Sequence, residues 1–262
     1  MKFQTKNPAD LTADCAICAI FENDKNKGVL FEYLNKLSKG ELERQVQYGS
    51  ITGKFQETFK YSINEKLKVV LIGLGKKADF TRKRYSQCIV NAAKIAKTLT
   101  KNQSVAFEAV ETVQKTFNQK EMIVLGLCAL RIGFYEFNKY LSRKTNEIET
   151  VEIICNSATQ EIEQGALIGA YTSFAMKFTK DLVNESAQVV TPQYVANLAA
   201  EIAKEHNLKA EILEKDEIKK LGMNAFLAVG QGSVNEPRFI HLTYCPAATP
   251  RKKVALIGKG IT

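Results

Sequence analysis

The stretch that points most clearly to a chemical function is Val254-Ala255-Leu256-Ile257-Gly258-Lys259-Gly260, an apolar run that leads into a lysine between two glycines. The run predicts a strand over residues 253–257. A strand followed by a tight turn is where α/β enzymes often place a functional side chain, because the turn lifts residues off the carboxyl edge of the sheet. The amine of Lys259 could serve a metal or a phosphate, or it could simply be solvated. Its role depends on the rest of the sequence.

A second candidate is the loop Gly73-Leu74-Gly75-Lys76-Lys77-Ala78, which has a loose form of the dinucleotide-binding fingerprint. Glycines here would let backbone N–H groups and a helix amino terminus approach a pyrophosphate. The next strand offers Glu108, but this residue lies well beyond the roughly 20-residue spacing expected of a ribose-binding acid. The sequence therefore favours a structural turn over a nucleotide site, and both interpretations remain open.

The cysteines and histidines do not form an obvious metal site. Cys15 and Cys18 have the C-x-x-C spacing of redox and zinc sites, but they fall in a strand-like run, where positions three apart point to opposite faces. We expect reduced thiols buried in the core. His206 ends a predicted helix, and His241 alternates with apolar residues on a predicted strand. Neither has the short-spaced partners of a zinc site, so we expect structural roles for both.

Alternating strands and helices must position these candidates. Short runs rich in β-branched and aromatic residues predict strands, and apolar residues at helical spacing predict helices. Strands are expected over 3–6, 15–21, 55–63, 68–72, 104–110 and 150–154, and helices over 31–37, 41–48, 79–98 and 120–131. This alternation indicates an α/β domain with a parallel or mixed sheet covered on both faces.

A long helix over residues 158–184 follows this first domain and is expected to link it to a second one. The second region opens with Thr191-Pro192, which predicts a helix cap and a proline in the first turn of a helix that reaches His206. A strand over 209–213, a short helix capped by Asp216 and ended by Gly222, and strands over 239–243 and 253–257 complete the pattern.

Composition limits the class of protein. The chain has 262 residues, of which 45% are hydrophobic and 25% charged, which is typical of a globular protein and excludes a disordered one. No run approaches the roughly 18 apolar residues of a membrane span, and the first residues do not resemble a secretion signal. We therefore expect a cytoplasmic protein with no membrane partner.

The positive charge is concentrated in the first part of the chain. The net charge is +9, and residues 1–180 carry 27 Lys and Arg against 19 Asp and Glu. The densest cluster comprises Lys76, Lys77, Arg82, Lys83 and Arg84. Such a cluster binds nucleic acid or another polyanion in some proteins, and in others it is a solvated helix face. The sequence favours the solvated face.

Several short motifs, taken in order and spacing, resemble the leucyl aminopeptidase family of dinuclear metallopeptidases. The resemblance extends upstream to Gly73-Leu74-Gly75-Lys76, to residues 134–140 and to the long helix, so it covers nearly the whole chain. It is most specific in five segments, which are Asp181-Leu182-Val183-Asn184, Thr191-Pro192, residues 221–233, Pro237-Arg238-Phe239-Ile240 and Ile257-Gly258-Lys259-Gly260-Ile261-Thr262.

The resemblance implies a macro-like amino-terminal domain over residues 1–157, a linking helix over 158–184 and the start of a metallopeptidase domain over 185–262. Lys259 matches the family lysine whose amine binds one of two divalent metal ions, zinc or manganese. An amine binds a metal only when deprotonated, so a neighbouring dication must lower its pKa far below the usual value of about 10.4. The implied reaction is hydrolysis of the amino-terminal residue from a peptide by a metal-bound hydroxide, in a homo-oligomer that the family builds as a hexamer.

The same resemblance implies that the other metal ligands and the catalytic residues follow Lys259 in a segment that this sequence does not contain. We therefore expect a truncated catalytic domain with no catalytic or cofactor-binding residue other than the metal ligand Lys259. One amine cannot hold two cations that need several carboxylate oxygens, so the chain alone should be inactive. We also expect aggregation, partial disorder after residue ~185 or completion by a second polypeptide.

Two alternatives follow from the same residues. The basic amino-terminal domain could act as a non-catalytic binding or assembly module, since some members of the resembled family bind DNA as well as cleave peptides. The loop over residues 73–76 could instead bind a nucleotide-like ligand.

Overall fold

The computed structural model of the chain describes residues 1–25, 27–108, 117–142, 147–246 and 252–261. The chain divides into two compact units, Met1–Lys180 and Asp181–Thr262. Each unit has a sheet of its own, with six strands in the first and two in the second among the described residues. No helix in the described ranges is long and apolar enough to cross a membrane.

The first unit is built on a mixed sheet. In chain order its strands are β1 (Lys2–Lys6), β2 (Cys15–Ile20), β3 (Thr58–Ser62), β4 (Lys68–Gly73), β5 (Ser104–Glu108) and β6 (Thr150–Ile154). Their spatial order is β1-β6-β5-β2-β4-β3. All neighbouring strands are parallel except β3 and β4, which are antiparallel. The expected fold class, an α/β domain with a mixed sheet flanked by helices, is confirmed.

Helices cover both faces of this sheet. They are α1 (Val29–Leu37), α2 (Glu41–Gln47), α3 (Arg82–Leu99), α4 (Gln119–Phe134) and α5 (Gln160–Asn184). Buried residues of α3 and α4 join one core cluster, and buried residues of α1 and α2 join a second cluster. The near-continuous apolar runs of β2 and β4 supply side chains to both clusters, as expected of strands buried on two faces.

Local side-chain chemistry sets where two of these helices begin. The Thr81 hydroxyl accepts a hydrogen bond from the N–H of Arg84, so α3 begins at Arg82 rather than at residue 79. Residues Lys77–Asp79 form a separate 3-10 turn. The Asn118 side chain caps α4 in the same way by accepting from the N–H of Glu121. The predicted strand over 104–110 ends at Glu108, and its last two positions lie outside the described residues.

The second unit contains α6 (Pro192–Glu205), β7 (Lys209–Leu213), α7 (Lys215–Lys220), α8 (Asn224–Gly230) and β8 (Phe239–Thr243). Strands β7 and β8 are antiparallel, with Ile212 opposite Ile240. The buried apolar residues of the described part of this unit are Ala196, Ala199, Ala203 and Ile218. Three of these four are alanines, so the core of this unit is very small.

Two sequence-based predictions for the second unit were wrong, and one helix was not predicted. The strand expected over 253–257 is absent, because residues 252–261 have no regular secondary structure and no described segment pairs with them. Glu214, not Asp216, is the N-cap of α7, where its N–H donates to the Glu217 carboxylate at 2.9 Å. Helix α8 was not predicted, because its seven residues are too short to show helical periodicity.

Candidate functional site

The loop after β4 is tied into the surrounding backbone. The N–H groups of Gly73, Leu74 and Gly75 donate to the carbonyl oxygens of Glu57, Ile20 and Gly53, each at 2.8 Å. A phosphate-binding loop needs backbone N–H groups that are free to donate to the phosphate, and these three N–H groups already have acceptors within the chain. A Cβ on Gly73 would lie 2.0 Å from the carbonyl oxygen of Lys54, so this glycine is required by close packing. The structure therefore favours the structural turn over the nucleotide site.

The carboxylate of Glu108 occupies a position that an anionic ligand would otherwise use. Glu108 ends β5, and its Oε1 and Oε2 atoms accept from the N–H groups of Val29 and Leu30, at 2.7 and 3.0 Å, in the first turn of α1. The amino terminus of a helix attracts negative charge, and here a side chain supplies that charge. A Cβ on Gly28 would lie 2.5 Å from Glu108 Oε2, which explains the glycine at this cap.

From the sequence, Glu108 was considered only as a ribose-binding acid. Its role as the cap of α1 was not predicted. A signal was present, because α1 follows Gly28, which has no side chain that could cap the helix. The first N–H groups of this helix therefore need acceptors from water or from elsewhere in the chain. Which residue supplies them could not be read from the sequence, because Val29 and Glu108 are distant in the chain and are brought together by the sheet.

The cluster of basic residues is largely paired with acids. The Lys77 amine lies 2.7 Å from Asp24. The Arg82 guanidinium contacts Glu121 through two nitrogens and stacks over the Phe117 ring at 4.7 Å from its centroid.

Arg84 is held in a similar way. Its guanidinium lies 3.5 Å from the Asp79 carboxylate, and it also stacks over the ring of Phe55 at 4.2 Å. Cations that are held by neighbouring carboxylates and aromatic rings are less available to an external polyanion. These contacts support the interpretation of the cluster as a solvated, self-paired helix face.

Cys15 and Cys18 lie on opposite faces of β2, as predicted. Cys15 belongs to the core cluster under α3 and α4, and Cys18 belongs to the cluster under α1 and α2. Both are buried, and burial raises the pKa of the Cys15 thiol to about 12 and that of the Cys18 thiol well above its usual value. Buried thiols with such a high pKa are poor nucleophiles at neutral pH, and their positions on opposite faces of the strand prevent the two sulfurs from sharing one metal ion.

The two histidines lie at the surface of the second unit. His206 follows the last turn of α6 as its C-cap and is exposed. His241 lies opposite Glu211 on the neighbouring strand, with its Nδ1 atom 3.5 Å from a carboxylate oxygen of that residue. Within the described ranges, no group of three His, Cys, Asp or Glu residues is arranged to hold a metal ion.

Lys259 lies in the segment 252–261, and its side chain is exposed. A Cβ added to Gly258 or Gly260 would have no atom within 4 Å, so the described residues do not form a crowded turn around this lysine. Two divalent cations need several oxygen or nitrogen donors, and the described part of the chain offers no such donor group. The residues present therefore do not fit a complete dinuclear metal centre.

Comparisons with known proteins point to one family. Sequence models for the two domains of the cytosol aminopeptidase family match this chain, the N-terminal domain over residues 17–144 and the catalytic domain over residues 177–262. The probable cytosol aminopeptidase of Persephonella marina is 33% identical over an alignment of 255 residues, which covers 92% of this chain and 49% of that protein. That of Paraburkholderia phymatum is 34% identical, over 95% of this chain and 51% of that protein.

Solved structures show the same fold. A tomato leucine aminopeptidase mutant is 23% identical with a TM-score of 0.77, over 96% of this chain and 52% of that one. The bottromycin maturation enzyme BotP, in a complex with Mn, is 20% identical with a TM-score of 0.69, over 90% of this chain and 46% of that one. The chain thus spans about half the length of the proteins that it resembles.

Proposed function

The chain belongs to the cytosol aminopeptidase family, and on this premise we propose that it forms the front portion of a leucyl aminopeptidase-like metallopeptidase that releases amino-terminal residues from peptides. The observation that carries the proposal is the order of the two family matches, an N-terminal domain over residues 17–144 and a catalytic domain over residues 177–262. The relatives' names also support a cytosolic location.

Within this assignment, residues 1–157 form a macro-like domain, residues 158–184 a linking helix and residues 185–262 the start of the catalytic domain. The amine of Lys259 binds one of two divalent metal ions, zinc or manganese, in the complete enzyme. A fold relative, the bottromycin maturation enzyme BotP in complex with Mn, supports a divalent metal. The complete enzyme assembles as a homo-oligomer, a hexamer in the family.

The 262-residue chain alone is inactive under this proposal. Its described residues contain no group of three His, Cys, Asp or Glu residues that could hold a metal, and Lys259 is exposed. A single amine holds a divalent cation weakly, because hard and borderline cations need several donors at once. The remaining donors have to come from polypeptide that corresponds to the other half of the relatives.

The experiment is a covalent fusion of this chain to the second half of the Persephonella marina relative, assayed for hydrolysis of Leu-p-nitroanilide with Mn²⁺ or Zn²⁺. We expect turnover, and we expect Lys259→Ala to reduce it by more than the roughly 10–100-fold that is typical when an outer-shell partner of a metal is lost. The matched control is Lys252→Ala, which removes an exposed lysine from the same segment and should leave turnover unchanged. A folded fusion without turnover, or a Lys259→Ala fusion with full turnover, would overturn the proposal.

A further inference from the structure

A groove runs along the face of α3 that points away from the sheet. It has a volume of about 450 Å³ and is open to solvent. Its lining residues on α3 follow the three- and four-residue spacing of a single helix face. They are Lys83, Ser86, Gln87, Val90, Asn91 and Lys94, and Gln56 lines the groove from the loop before β3.

The polar side chains of the groove are not used by the fold. Within the described part of the chain, the ammonium groups of Lys83 and Lys94 form no ion pair. The side-chain amides of Gln56, Gln87 and Asn91 form no hydrogen bond to those same residues of the chain. Lys83 therefore differs from the paired members of the basic cluster. The groove offers donors and acceptors that a ligand could use in place of water.

The loop that carries Gln56 is held firmly. The carboxylate of Glu57 accepts hydrogen bonds from the N–H and the hydroxyl of Thr52, both at 2.8 Å, and from the N–H of Lys54 at 3.2 Å. The N–H of Gln56 donates to the carbonyl oxygen of Gly73 at 2.9 Å. Gln56 has a φ of 62°, in the left-handed region that favours glycine. A glutamine held in this conformation points to a use for its side chain.

The lining matches an extended acidic peptide. No acid is among the described lining residues, and Lys94 lies three helical turns after Lys83, a rise of about 16 Å. In an extended peptide, residues four positions apart point to the same side and lie about 13 Å apart. Carboxylates at two such positions come within reach of both flexible lysine side chains. Between the lysines, the amides of Gln87 and Asn91 match the N–H and C=O groups of a peptide backbone.

A nucleic acid backbone matches the same lining less well. Phosphate groups offer only acceptors, and proteins that bind them do so mainly with several Lys and Arg residues. Here two cations stand about 16 Å apart, with side-chain amides between them. The oxygen atoms of these amides need donors, which peptide N–H groups supply. Val90, which packs against the core, adds an apolar contact for a peptide side chain.

We propose that this groove binds an extended acidic peptide segment of a partner protein. Two acidic residues of the segment, four positions apart, pair with Lys83 and Lys94. The backbone of the segment exchanges hydrogen bonds with the side-chain amides of Gln56, Gln87 and Asn91. This binding goes beyond the proposed function, because the amino terminus of the bound segment takes no part in it.

The test uses the 262-residue chain and the peptide acetyl-Ala-Glu-Ser-Ala-Thr-Glu-Ala, labelled at its carboxyl end with fluorescein. The acetyl group removes the free amino terminus that an aminopeptidase substrate carries, so the result does not depend on the proposed function. We expect a saturable rise in fluorescence anisotropy. The same peptide with Gln in place of both Glu residues should bind at least ~5-fold more weakly, because both ion pairs are lost. Absence of saturable binding, or equal affinity for the two peptides, would overturn the inference.

Paired lysine variants separate the groove from the net charge. Lys83→Ala combined with Lys94→Ala should weaken binding of the peptide at least ~5-fold. The matched control combines Lys36→Ala with Lys66→Ala, which removes the same charge from exposed positions outside the groove and should bind like the parent. All four lysines are surface residues, so the variants should fold, as circular dichroism can check. Equal weakening by the two pairs would contradict a specific groove.

Gln56→Gly tests the amide contact without straining the fold, because glycine adopts a positive φ readily. We expect the peptide to bind ~2–10-fold more weakly, which corresponds to the loss of one neutral hydrogen bond. Unchanged affinity would contradict the contact with Gln56.

A fluorescein-labelled single-stranded oligothymidylate tests the competing ligand class. We expect it to bind more weakly than the acidic peptide, with the same loss of affinity in both lysine pairs. If it binds more tightly than the peptide, and only the Lys83 and Lys94 pair weakens it, the groove is a phosphate-binding surface and the inference is overturned.

Discussion

The carboxylate of Glu108 accepts a hydrogen bond of 2.7 Å from the backbone N–H of Val29, at the first turn of α1. One carboxylate thus satisfies two backbone N–H groups at the start of α1, beside the carboxyl end of β5. In the loop after β4, the N–H groups of residues 73–75 also have acceptors within the chain. The geometry of these two places therefore does not favour phosphate binding there.

Removing the charge of Glu108 should loosen the start of α1. Glu108→Gln keeps the shape of the side chain, but its amide can accept only one of the two hydrogen bonds and turns a donor toward the other N–H, so we expect a loss of about 1–2 kcal/mol in the free energy of unfolding. The measurement is urea unfolding followed by far-UV circular dichroism. Glu65→Gln, at an exposed position, serves as the control and should unfold at the urea concentration of the parent protein. Equal midpoints for all three proteins would show that the cap contributes nothing.

The first unit should not bind a nucleotide-like ligand. The backbone donors of residues 73–75 and the amino terminus of α1 already have acceptors within the chain. Titration of the 262-residue chain with ADP-ribose in a calorimeter should therefore give only heats of dilution. A saturable heat with a stoichiometry near one would restore the nucleotide-binding alternative.

The buried Asp14 should make the first unit acid-sensitive. Burial favours the neutral carboxyl, but hydrogen bonds from the Thr100 hydroxyl, the N–H groups of Asn102 and Lys101, and the Ser104 hydroxyl outweigh it and lower the pKa of Asp14. A lowered folded-state pKa gives stability that is complete above the unfolded pKa of about 3.9 and is lost as the pH falls through the folded pKa.

Asp14→Asn should accordingly be less stable than the parent at pH 7, by about 1.5–3 kcal/mol, because hydrogen bonds to a charged acceptor are lost. The difference should begin to shrink as the pH falls below about 4, where the carboxyl of the unfolded parent becomes protonated, and should shrink further until the pH passes the lowered pKa of the folded state. Unfolding midpoints measured between pH 3 and pH 7 check this. A difference that stays constant over the whole range would show that the charge of Asp14 is not what stabilises the fold.

The thiols should differ sharply in reactivity. Cys245 is exposed, whereas Cys15, Cys18 and Cys88 are buried, and burial raises the pKa of Cys88 to about 11. In the native protein, Ellman's reagent should modify Cys245 rapidly, and it should modify Cys15, Cys18 and Cys88 only after denaturation. Peptide mass mapping identifies the modified residues. Rapid native labelling of Cys15 or Cys18, or a disulfide between them, would contradict their placement on opposite faces of β2.

Close packing between α3 and α4 should make Gly133 intolerant of substitution. A Cβ at this position would lie 2.5 Å from the Cβ of Ala93 and 2.7 Å from the carbonyl oxygen of Val90. Gly133→Ala should therefore cost about 1–3 kcal/mol through overpacking. Gly232→Ala is the control, since a Cβ there meets no atom within 4 Å. A thermal midpoint of Gly133→Ala equal to that of the parent would show that the two helices can separate freely.

The strands and helices of the first unit could be predicted from the sequence because their signals are local. The apolar runs of β2 and β4 and the helical spacing along α3 identify the elements without any knowledge of their neighbours. The strand order and the contact between Glu108 and Val29 could not be predicted, because both depend on pairing between distant segments. The strand predicted over residues 253–257 was wrong for the same reason, since a sequence with strand-forming residues forms a strand only beside a neighbouring strand.

The candidate metal site could likewise be predicted only in part, because it depends on contacts between distant segments. The motif predicts Lys259 as a metal ligand, and that role stays a prediction, since no group of three His, Cys, Asp or Glu residues in the described part of the chain is arranged to hold a metal. Short motifs identify a ligand type, whereas a metal centre needs several donors that come together from different segments. The rest of that donor set cannot be derived from a chain that spans about half the length of its relatives.

The most direct test of the central claim is the initial rate of Leu-p-nitroanilide hydrolysis, measured side by side for the purified 262-residue chain and for its fusion to the second half of the Persephonella marina relative. With Mn²⁺ or Zn²⁺, we expect the chain alone to match the buffer-and-metal background and the fusion to exceed it. Hydrolysis by the chain alone that a chelator abolishes, or a folded fusion that stays at background, would contradict the account.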